Sequence, residues 1–292
     1  MVDLTIKALL ADAIKKMELR QYNNPYLDVQ LILAHVIHRD RAFILTHMDY
    51  ALSDNEAIAF YDLIDKRNEG YPIQYILNKQ EFMGLDFYIS EGVLIPRADT
   101  ENIVEAVIKI VKEEFADIDE VRILDIGTGS GAIGCSLAHF IPKSRVTGID
   151  VSDIAVSVAS INNMKLGLSN YEIRRMNIFD DIYMELNGFH VVVSNPPYIP
   201  ADDIDGLEKE VSEYEPRTAL NGGITGLDFY ERIIRIFSKL AADKAILALE
   251  CGWNQKDSIE IIMNQLVGLD RIETIKDLSG KDRGLVGFFR MN

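Results

Sequence analysis

The sequence holds only two cysteines and one tryptophan among 292 residues. Cys135 and Cys251 stand far apart, and neither belongs to a CxxC pair. That spacing excludes a zinc ribbon or a dithiol redox motif and marks both as reduced core thiols of a cytosolic protein. Basic charge is also scarce. Thirty Lys and Arg face 46 Asp and Glu, giving a formal charge of −16 and a pI of about 4.7. A net negative surface repels phosphate backbones, which disfavours nucleic acid as a substrate while leaving room for a local basic patch. No apolar run approaches the ~20 residues that span a bilayer. No cleavable apolar segment follows acidic Asp3, so the chain is expected to be soluble and cytoplasmic. His35, His38 and His47 fall in one region, but no carboxylate or thiol completes a ligand set with them, so no metal is expected.

What is present is apolar and ordered. Hydrophobic residues make up 48% of the chain, enough for a sizeable core in one large domain or two. The charge is uneven: residues 1–80 hold nine basic and eleven acidic residues, which leaves −14 for the rest. Residues 1–80 read as a helical bundle. Thr5 to Arg20 place Ile6, Leu9, Leu10, Ala13, Ile14 and Met17 at helical spacing. Asn23-Asn24-Pro25 breaks that helix, and Tyr26 to Ile37 forms a second. Ser53 followed by Glu56 predicts a capping box for a helix that ends near Asn68, before Gly70. Residues 81–97 change character. Phe82, Leu85, Phe87 and Ile89 lie around Gly84 as two short stretches and predict a β-hairpin linker. Thr100 is placed to cap a helix through Ile103, Val104, Val107, Ile108 and Val111, which opens a domain spanning 98–292.

In that domain strands and helices alternate, as a parallel sheet requires. Strands are expected near 121–126, 145–150, 171–176, 189–194, 244–250, 270–276 and 284–290. Helices are expected near 131–140, 153–166, 227–241 and 254–265. Between the last two strands Asp277 to Arg283 leave no room for a helix, so these should form an antiparallel hairpin at the sheet edge. The fold class is therefore α/β: a mostly parallel seven-stranded sheet with a C-terminal antiparallel hairpin, plus a small N-terminal helical bundle joined by a β-hairpin linker.

Two stretches carry chemistry. Val121 to Ile126 is a strand that runs into Gly127-Thr128-Gly129-Ser130-Gly131 and an apolar helix from Ala132. Glycines let a backbone turn sharply and approach a ligand closely. Roughly 20 residues on, the next strand ends at Asp150, whose carboxylate can accept from ribose hydroxyls. A dinucleotide site fits GxGxxG better. Here no Lys or Arg stands ready for a pyrophosphate, and Asp125 before the loop points to an amino-bearing or cationic ligand. S-adenosylmethionine (SAM), with a sulfonium, an amino-acid head and a ribose but no phosphate, fits better than a nicotinamide dinucleotide. The second stretch is Val191 to Tyr198, VVVSNPPY. A buried β-branched run meets two prolines that cannot continue a strand, so Asn195 and the Pro196 carbonyl end stiffly at the carboxyl edge of the sheet. Two acceptors and the flat Tyr198 ring suit a planar –NH₂ group.

Together DIGTGSGAI, Asp150 and NPPY resemble the SAM-dependent amino methyltransferases. YPIQYILNKQEFMGLDF, VLIPRADTE, YEPRTAL, GLDFYERII and LSGKDRGLVGFF narrow the resemblance to the HemK-type release-factor glutamine methyltransferases. These methylate the side-chain amide nitrogen of the glutamine in the GGQ motif of peptide-chain release factors. The resemblance implies a Rossmann-like SAM methyltransferase domain in which residues Gly127 to Gly131 cradle SAM and Asp150 holds its ribose. It implies that Asn177, Ile178 and Phe179 flank the adenine, that Arg97 lies near the methionine end, and that Asn195 also contacts the cofactor. It makes Asn195, Pro196, Pro197 and Tyr198 the glutamine site, with Asn195, Pro196 and Tyr198 catalytic, and release factors the partners. The sequence departs from the family pattern at Asn177, where many relatives carry Asp, and at Ile178, where some carry Trp. It departs again at Ala98, where a Pro is usual, and at Ile224-Thr225, where acidic residues are common.

NPPY alone does not choose a substrate, because the exocyclic amine of adenine is also a conjugated –NH₂. A DNA N6-adenine methyltransferase, which must extrude a base and grip phosphates, and a non-catalytic SAM-binding scaffold are the alternatives. The charge balance weighs against the first and the amide-holding groups against the second. The helical domain is expected to dock the partner protein.

Overall fold

The computed structural model describes residues 4–17 and 24–291. The chain divides into two compact units. One takes the residues up to Lys79 together with Leu207–Tyr214, and the other takes Gln80–Gly206 and everything from Glu215 on.

The first unit contains helices α1 (Ile6–Lys16), α2 (Pro25–Val36), α3 (Arg41–Thr46), α4 (Asp54–Asn68) and α5 (Ile73–Leu77). Four of them start at a side-chain cap: Thr5, Asn24, Asp40 and Ser53 each accept from a backbone N–H of the first turn. Each such bond satisfies a donor the helix cannot, a contribution of about 1 kcal/mol. The capping box is present, with the Ser53 N–H donating to Glu56 Oε2 at 2.8 Å. The expected helix end at Arg20 and the start of the break at Asn23 lie outside the described residues. Helices α3 and α5 have six and five residues, too few to show a helical period. Ile6, Leu9, Val29, Ile32, Phe60 and Ile64 are fully or almost fully buried and form the core of this unit.

The second unit opens with the hairpin of β1 (Lys79–Phe82) and β2 (Leu85–Tyr88), followed by α6 (Ala98–Glu114). Thr100 is not the cap of α6. The helix begins two residues earlier, after Arg97, which makes no side-chain capping bond. Then come β3 (Val121–Ile126), α7 (Ala132–Phe140), β4 (Ser144–Asp150), α8 (Asp153–Leu166), β5 (Tyr171–Arg175) and β6 (Phe189–Ser194). Two four-residue helices follow, α9 (Lys209–Ser212), which belongs to the first unit, and α10 (Arg217–Leu220). The chain closes with α11 (Asp228–Leu240), β7 (Ala241–Glu250), α12 (Lys256–Met263), β8 (Leu269–Lys276) and β9 (Asp282–Arg290).

The seven strands order as β5-β4-β3-β6-β7-β9-β8. Strands β5 to β7 are parallel, and β8 and β9 form the expected antiparallel hairpin at the edge. Central strands β3 and β6 are buried at five of six positions each, which is why they read as continuous apolar runs rather than alternating ones. Helix α11 seals one face with Tyr230, Ile233, Ile234, Ile236 and Phe237. The chain winds outward from β3 to β5, then returns to place β6 on the other side of β3. A crevice for ligands forms at such a reversal, outside the carboxyl ends of the strands. No helix among the described residues is long and apolar enough to cross a membrane.

Candidate active site

The reversal point brings the two predicted stretches together. Ile126 pairs with Ser194 in the β3–β6 register. The Ser194 hydroxyl donates to the Ile126 carbonyl at 2.7 Å and ties the strand ends to one another. Gly127 and Asn195 therefore leave neighbouring strands at the same level. Over this edge opens a cavity of about 450 Å³, of the size that encloses a small organic ligand. Gly127, Gly129, Asp150, Asn177, Ile178, Phe179, Asn195, Pro196 and Pro197 line it.

Gly127 has φ of +71°, and a Cβ built there would meet no atom within 4 Å. The space above the loop is open, which fits a ligand lying directly on backbone. Gly131 serves packing instead, because a Cβ there would press on Ala159 at 3.1 Å. Asp150 is held by two backbone donors: Gly129 N–H reaches Oδ2 and Ser152 N–H reaches Oδ1, both at 2.9 Å. Its carboxylate is thus aimed before any ligand arrives. Asn177 stabilises its own loop by accepting from the Phe179 N–H at 3.0 Å. Phe179 is half exposed and stands edge-on to Phe229, with ring centroids 5.3 Å apart. Arg232 of α11 donates to the carbonyls of Ile178 and Asp180 at 2.7 and 2.5 Å, clamping this apolar wall.

Five expected site residues stand off the cavity wall. Thr128 and Ser130 are buried beneath the loop, and Gly131 starts α7. The Arg97 guanidinium pairs with buried Glu215. The Tyr198 side chain packs against the core, and its backbone carbonyl accepts from Gln255 Nε2 at 2.9 Å. Burial pushes the Tyr198 phenol up to about 12, so it stays protonated and cannot act as a base near neutrality.

Asp125 corrects an expectation. Its carboxyl is fully buried and faces no ligand space. Oδ2 instead accepts from the Thr128 hydroxyl at 2.5 Å and the Gly134 N–H at 3.0 Å. Burial pushes this carboxyl up to about 7, and the same cause raises Glu250 at the end of β7 to about 7. Both groups bind a proton more tightly folded than unfolded. Their contribution is therefore fully present below the unfolded carboxylate pKa and is lost as pH rises to about 7. Urea titrations should show stability falling over that window, with a slope of up to about 1.4 kcal/mol per pH unit for each group. Asp125→Asn should flatten the slope, and an unchanged slope would remove Asp125 as its source.

Sequence reasoning missed several wall residues. Pro216 to Ala219 and Asn221 line the cavity from the α10 segment, as do Gly92 to Leu94 before α6. The backbone there is stitched to the NPPY exit: Ile199 N–H donates to the Leu220 carbonyl and Gly222 N–H to the Ile199 carbonyl, both at 2.9 Å. Arg217 is the one cationic side chain among the described lining residues, and it already pairs with Asp205 at 2.5 Å. The donor set therefore fits an uncharged or cationic ligand with a ribose-like diol and a flat apolar base, as in SAM, and offers little to a pyrophosphate.

Residues 8–77 match the PrmC N-terminal domain family, and residues 118–266 match a methyltransferase domain family. The release factor glutamine methyltransferase of Clostridium botulinum is 37% identical over 281 residues, which cover 96% of this chain and 98% of that protein. The chain belongs to the release factor glutamine methyltransferase family. A second member, from Moorella thermoacetica, is 35% identical over 290 residues, covering 98% and 99% of the two chains. Among solved structures, a methyltransferase from Pyrococcus furiosus superposes with a TM-score of 0.50 at 18% identity, over 82% of this chain and 100% of that one. That likeness concerns the fold. Of the residues the family resemblance marks, Gly127, Gly129, Asp150, Asn177, Ile178, Phe179, Asn195, Pro196 and Pro197 line the cavity at the β3–β6 reversal.

Proposed function

We propose that this protein transfers the methyl group of SAM to the side-chain amide nitrogen of the glutamine in the GGQ motif of peptide-chain release factors. The observation that carries the reading is the pair of acceptors on the cavity wall. Asn195 Oδ1 and the Pro196 carbonyl receive no hydrogen bond among the described residues, and both residues line the cavity. SAM, when bound, supplies an electrophilic methyl on a positively charged sulfur. Gly127, Gly129 and Asp150 would hold its amino-acid and ribose portions, and Ile178 and Phe179 its adenine.

An amide nitrogen is a poor nucleophile because its lone pair is delocalised into the carbonyl. No strong base stands in the NPPY stretch itself. Asn195 Oδ1 and the Pro196 carbonyl would each accept one N–H of the substrate –NH₂, orienting the nitrogen and drawing it out of conjugation. Pro196 is buried and flanked by Pro197, so its carbonyl cannot swing away. Orientation of this kind can contribute on the order of 7 kcal/mol. The helical unit is the docking module for the release factor in this reading, and the cytoplasm, where release factors act, is its place of work.

Mass spectrometry of a release factor incubated with enzyme and SAM tests the reading. One added methyl on the GGQ peptide is expected, and its absence together with methylation of duplex DNA would overturn it. Asp150→Ala should weaken SAM binding by about tenfold or more, since each hydrogen bond to a charged acceptor is worth ~1.5–3 kcal/mol. Calorimetry that returns an unchanged dissociation constant would show that Asp150 does not hold the ribose.

A further inference from the structure

Beneath the glycine loop, a phenol from β5 reaches the side chain of Thr128. Thr128 lies between Gly127 and Gly129, two loop residues that line the cavity. Its hydroxyl donates to Asp125 Oδ2 at 2.5 Å. With its one hydrogen engaged there, the hydroxyl can only accept from Tyr171, whose phenol oxygen is 2.6 Å away. The chain of bonds therefore runs from Tyr171 to Thr128 to Asp125, and all three residues are buried. The Gly134 N–H also donates to Asp125 Oδ2, at 3.0 Å.

The phenol gets there through a slot between two glycines. Tyr171 pairs with Val146 in the β4–β5 register, so its ring shares a sheet face with Gly148. A Cβ on Gly148 would overlap the phenol oxygen, and a Cβ on Gly134 of α7 would stand 2.6 Å from that oxygen and from Cζ. Neither glycine has a positive φ, so no backbone turn calls for one there. Glycine inside a helix or strand is destabilising relative to alanine, and what these two provide is room for one tyrosine. A phenylalanine would fill the same slot and leave no polar atom to satisfy. The hydroxyl is explained by its bond to the loop.

We infer that Tyr171 is a positioning residue for cofactor binding: through Thr128 it holds the glycine loop in the conformation that receives SAM. Gly127 and Gly129 have φ of +71° and +55°. Glycine takes either sign of φ about equally readily, so these two residues do not fix the loop by themselves. The Thr128 side chain between them is the anchor, and Tyr171 and Asp125 hold it from below. A loop held in its bound form before the ligand arrives avoids the ordering cost of binding.

The inference rests on the proposed seat of SAM over this loop, so its test reports on the two separately. In ¹⁵N-labelled wild-type protein, added SAM should shift the amide resonances of Gly127 and Gly129. If neither moves, the seat is wrong and the inference falls with it. Tyr171→Phe keeps the ring in its slot and removes only the hydroxyl. Calorimetry should find SAM bound about three- to tenfold more weakly, the weight of one neutral hydrogen bond. In the cofactor-free variant the Gly129 amide should exchange faster by a similar factor, while Val191 to Val193 in β6 exchange as in wild type. A tyrosine that only fills the core would do the reverse: lowered global stability would speed the β6 amides and leave SAM affinity unchanged. That pattern, with the wild-type shifts present, overturns the inference alone. Thr128→Val should weaken SAM binding at least as much as Tyr171→Phe. Thr128→Ser, which keeps the hydroxyl, should bind about threefold or more tightly than Thr128→Val. Adding Tyr171→Phe to Thr128→Val should weaken binding no further, because the bond is already gone. Additive losses in the double variant also overturn the inference, as does a Thr128→Ser variant that binds no better than Thr128→Val. Should Tyr171→Phe fail to fold, the two Thr128 variants decide between them.

Discussion

Asn195→Ala is expected to slow methyl transfer by at least about 100-fold while changing SAM affinity by less than about threefold, given the usual loss on deleting one preorganised polar group. The asymmetry follows from where the groups lie. Asp150 and the glycine loop are built on β3, β4 and their exits, and Asn195 touches none of their hydrogen bonds. Removing the amide leaves a cavity of the same outline with one acceptor fewer. The substrate –NH₂ would then hang from the Pro196 carbonyl alone and could rotate about that bond. Asn195→Gln sharpens the test. It keeps the amide but displaces it by one methylene, and a shift of about 1 Å in a reacting group can itself cost ~100-fold. Both variants should therefore be slow if position matters. Near wild-type turnover in Asn195→Gln would mean that an amide somewhere in the pocket suffices, and the positioning argument would fail. Calorimetry with SAM, run beside single-turnover rates, separates binding from transfer.

The parts of this site that could be read in the sequence are those whose chemistry and backbone effect coincide. Pro196 and Pro197 end a strand and fix a carbonyl in the same stroke. Gly127 turns the chain and opens space above it. Asp150 closes an apolar strand, and a carboxylate there has few structural reasons to exist. Thr100 misled because a threonine ahead of a helical period is ordinarily a cap. Arg97 is extended, with φ of −101° and ψ of 143°, so the helix starts at Ala98 and the Thr100 hydroxyl is freed for Asn195. Glu250 sits at the end of an apolar strand much as Asp150 does. Nothing in the sequence tells that one is aimed at the cavity by two backbone donors and the other is buried behind it. Asp125 was misread for the same reason: its partners Thr128 and Gly134 lie close in sequence, but the direction of its carboxyl is set by packing. Strand β7 begins at Ala241, three residues before its expected start at Lys244, because Ala241 pairs with Phe189 across an irregularity that no alternation announces. The wall formed by Pro216 to Ala219 comes from a segment whose four-residue helix shows no period at all.

Arg67→Ala is expected to destabilise the helical unit by about 3–5 kcal/mol, the range for stranding buried charges by removing their partner. The Arg67 side chain on α4 is 1% exposed, Asp28 on α2 is 7% exposed and Glu210 in the 207–214 segment is 20% exposed. The guanidinium donates to Asp28 at 2.8 Å, to Glu210 at 2.7 Å and to the Tyr71 carbonyl at 2.9 Å. One side chain thus ties together two helices, the chain leaving α4 and a segment more than a hundred residues away in sequence. Periodicity marks position 67 only as the end of a helix. Without Arg67 two carboxylates would face one another in a low-dielectric site. The readout is amide exchange along α4, since the single tryptophan, Trp253, lies in the other unit. Protection there should fall by at least about 100-fold, and added salt should not restore it, because buried charges are screened little. Unchanged exchange in α4 would refute the assignment of Arg67 as the tie. A triple variant, Asp28→Leu, Arg67→Met and Glu210→Leu, provides the converse. Burying apolar groups in place of a buried ion set is often neutral or stabilising, so the triple variant should recover most of the loss. If it stays as unstable as Arg67→Ala alone, the cost came from lost packing around the Arg67 stem and not from stranded charge.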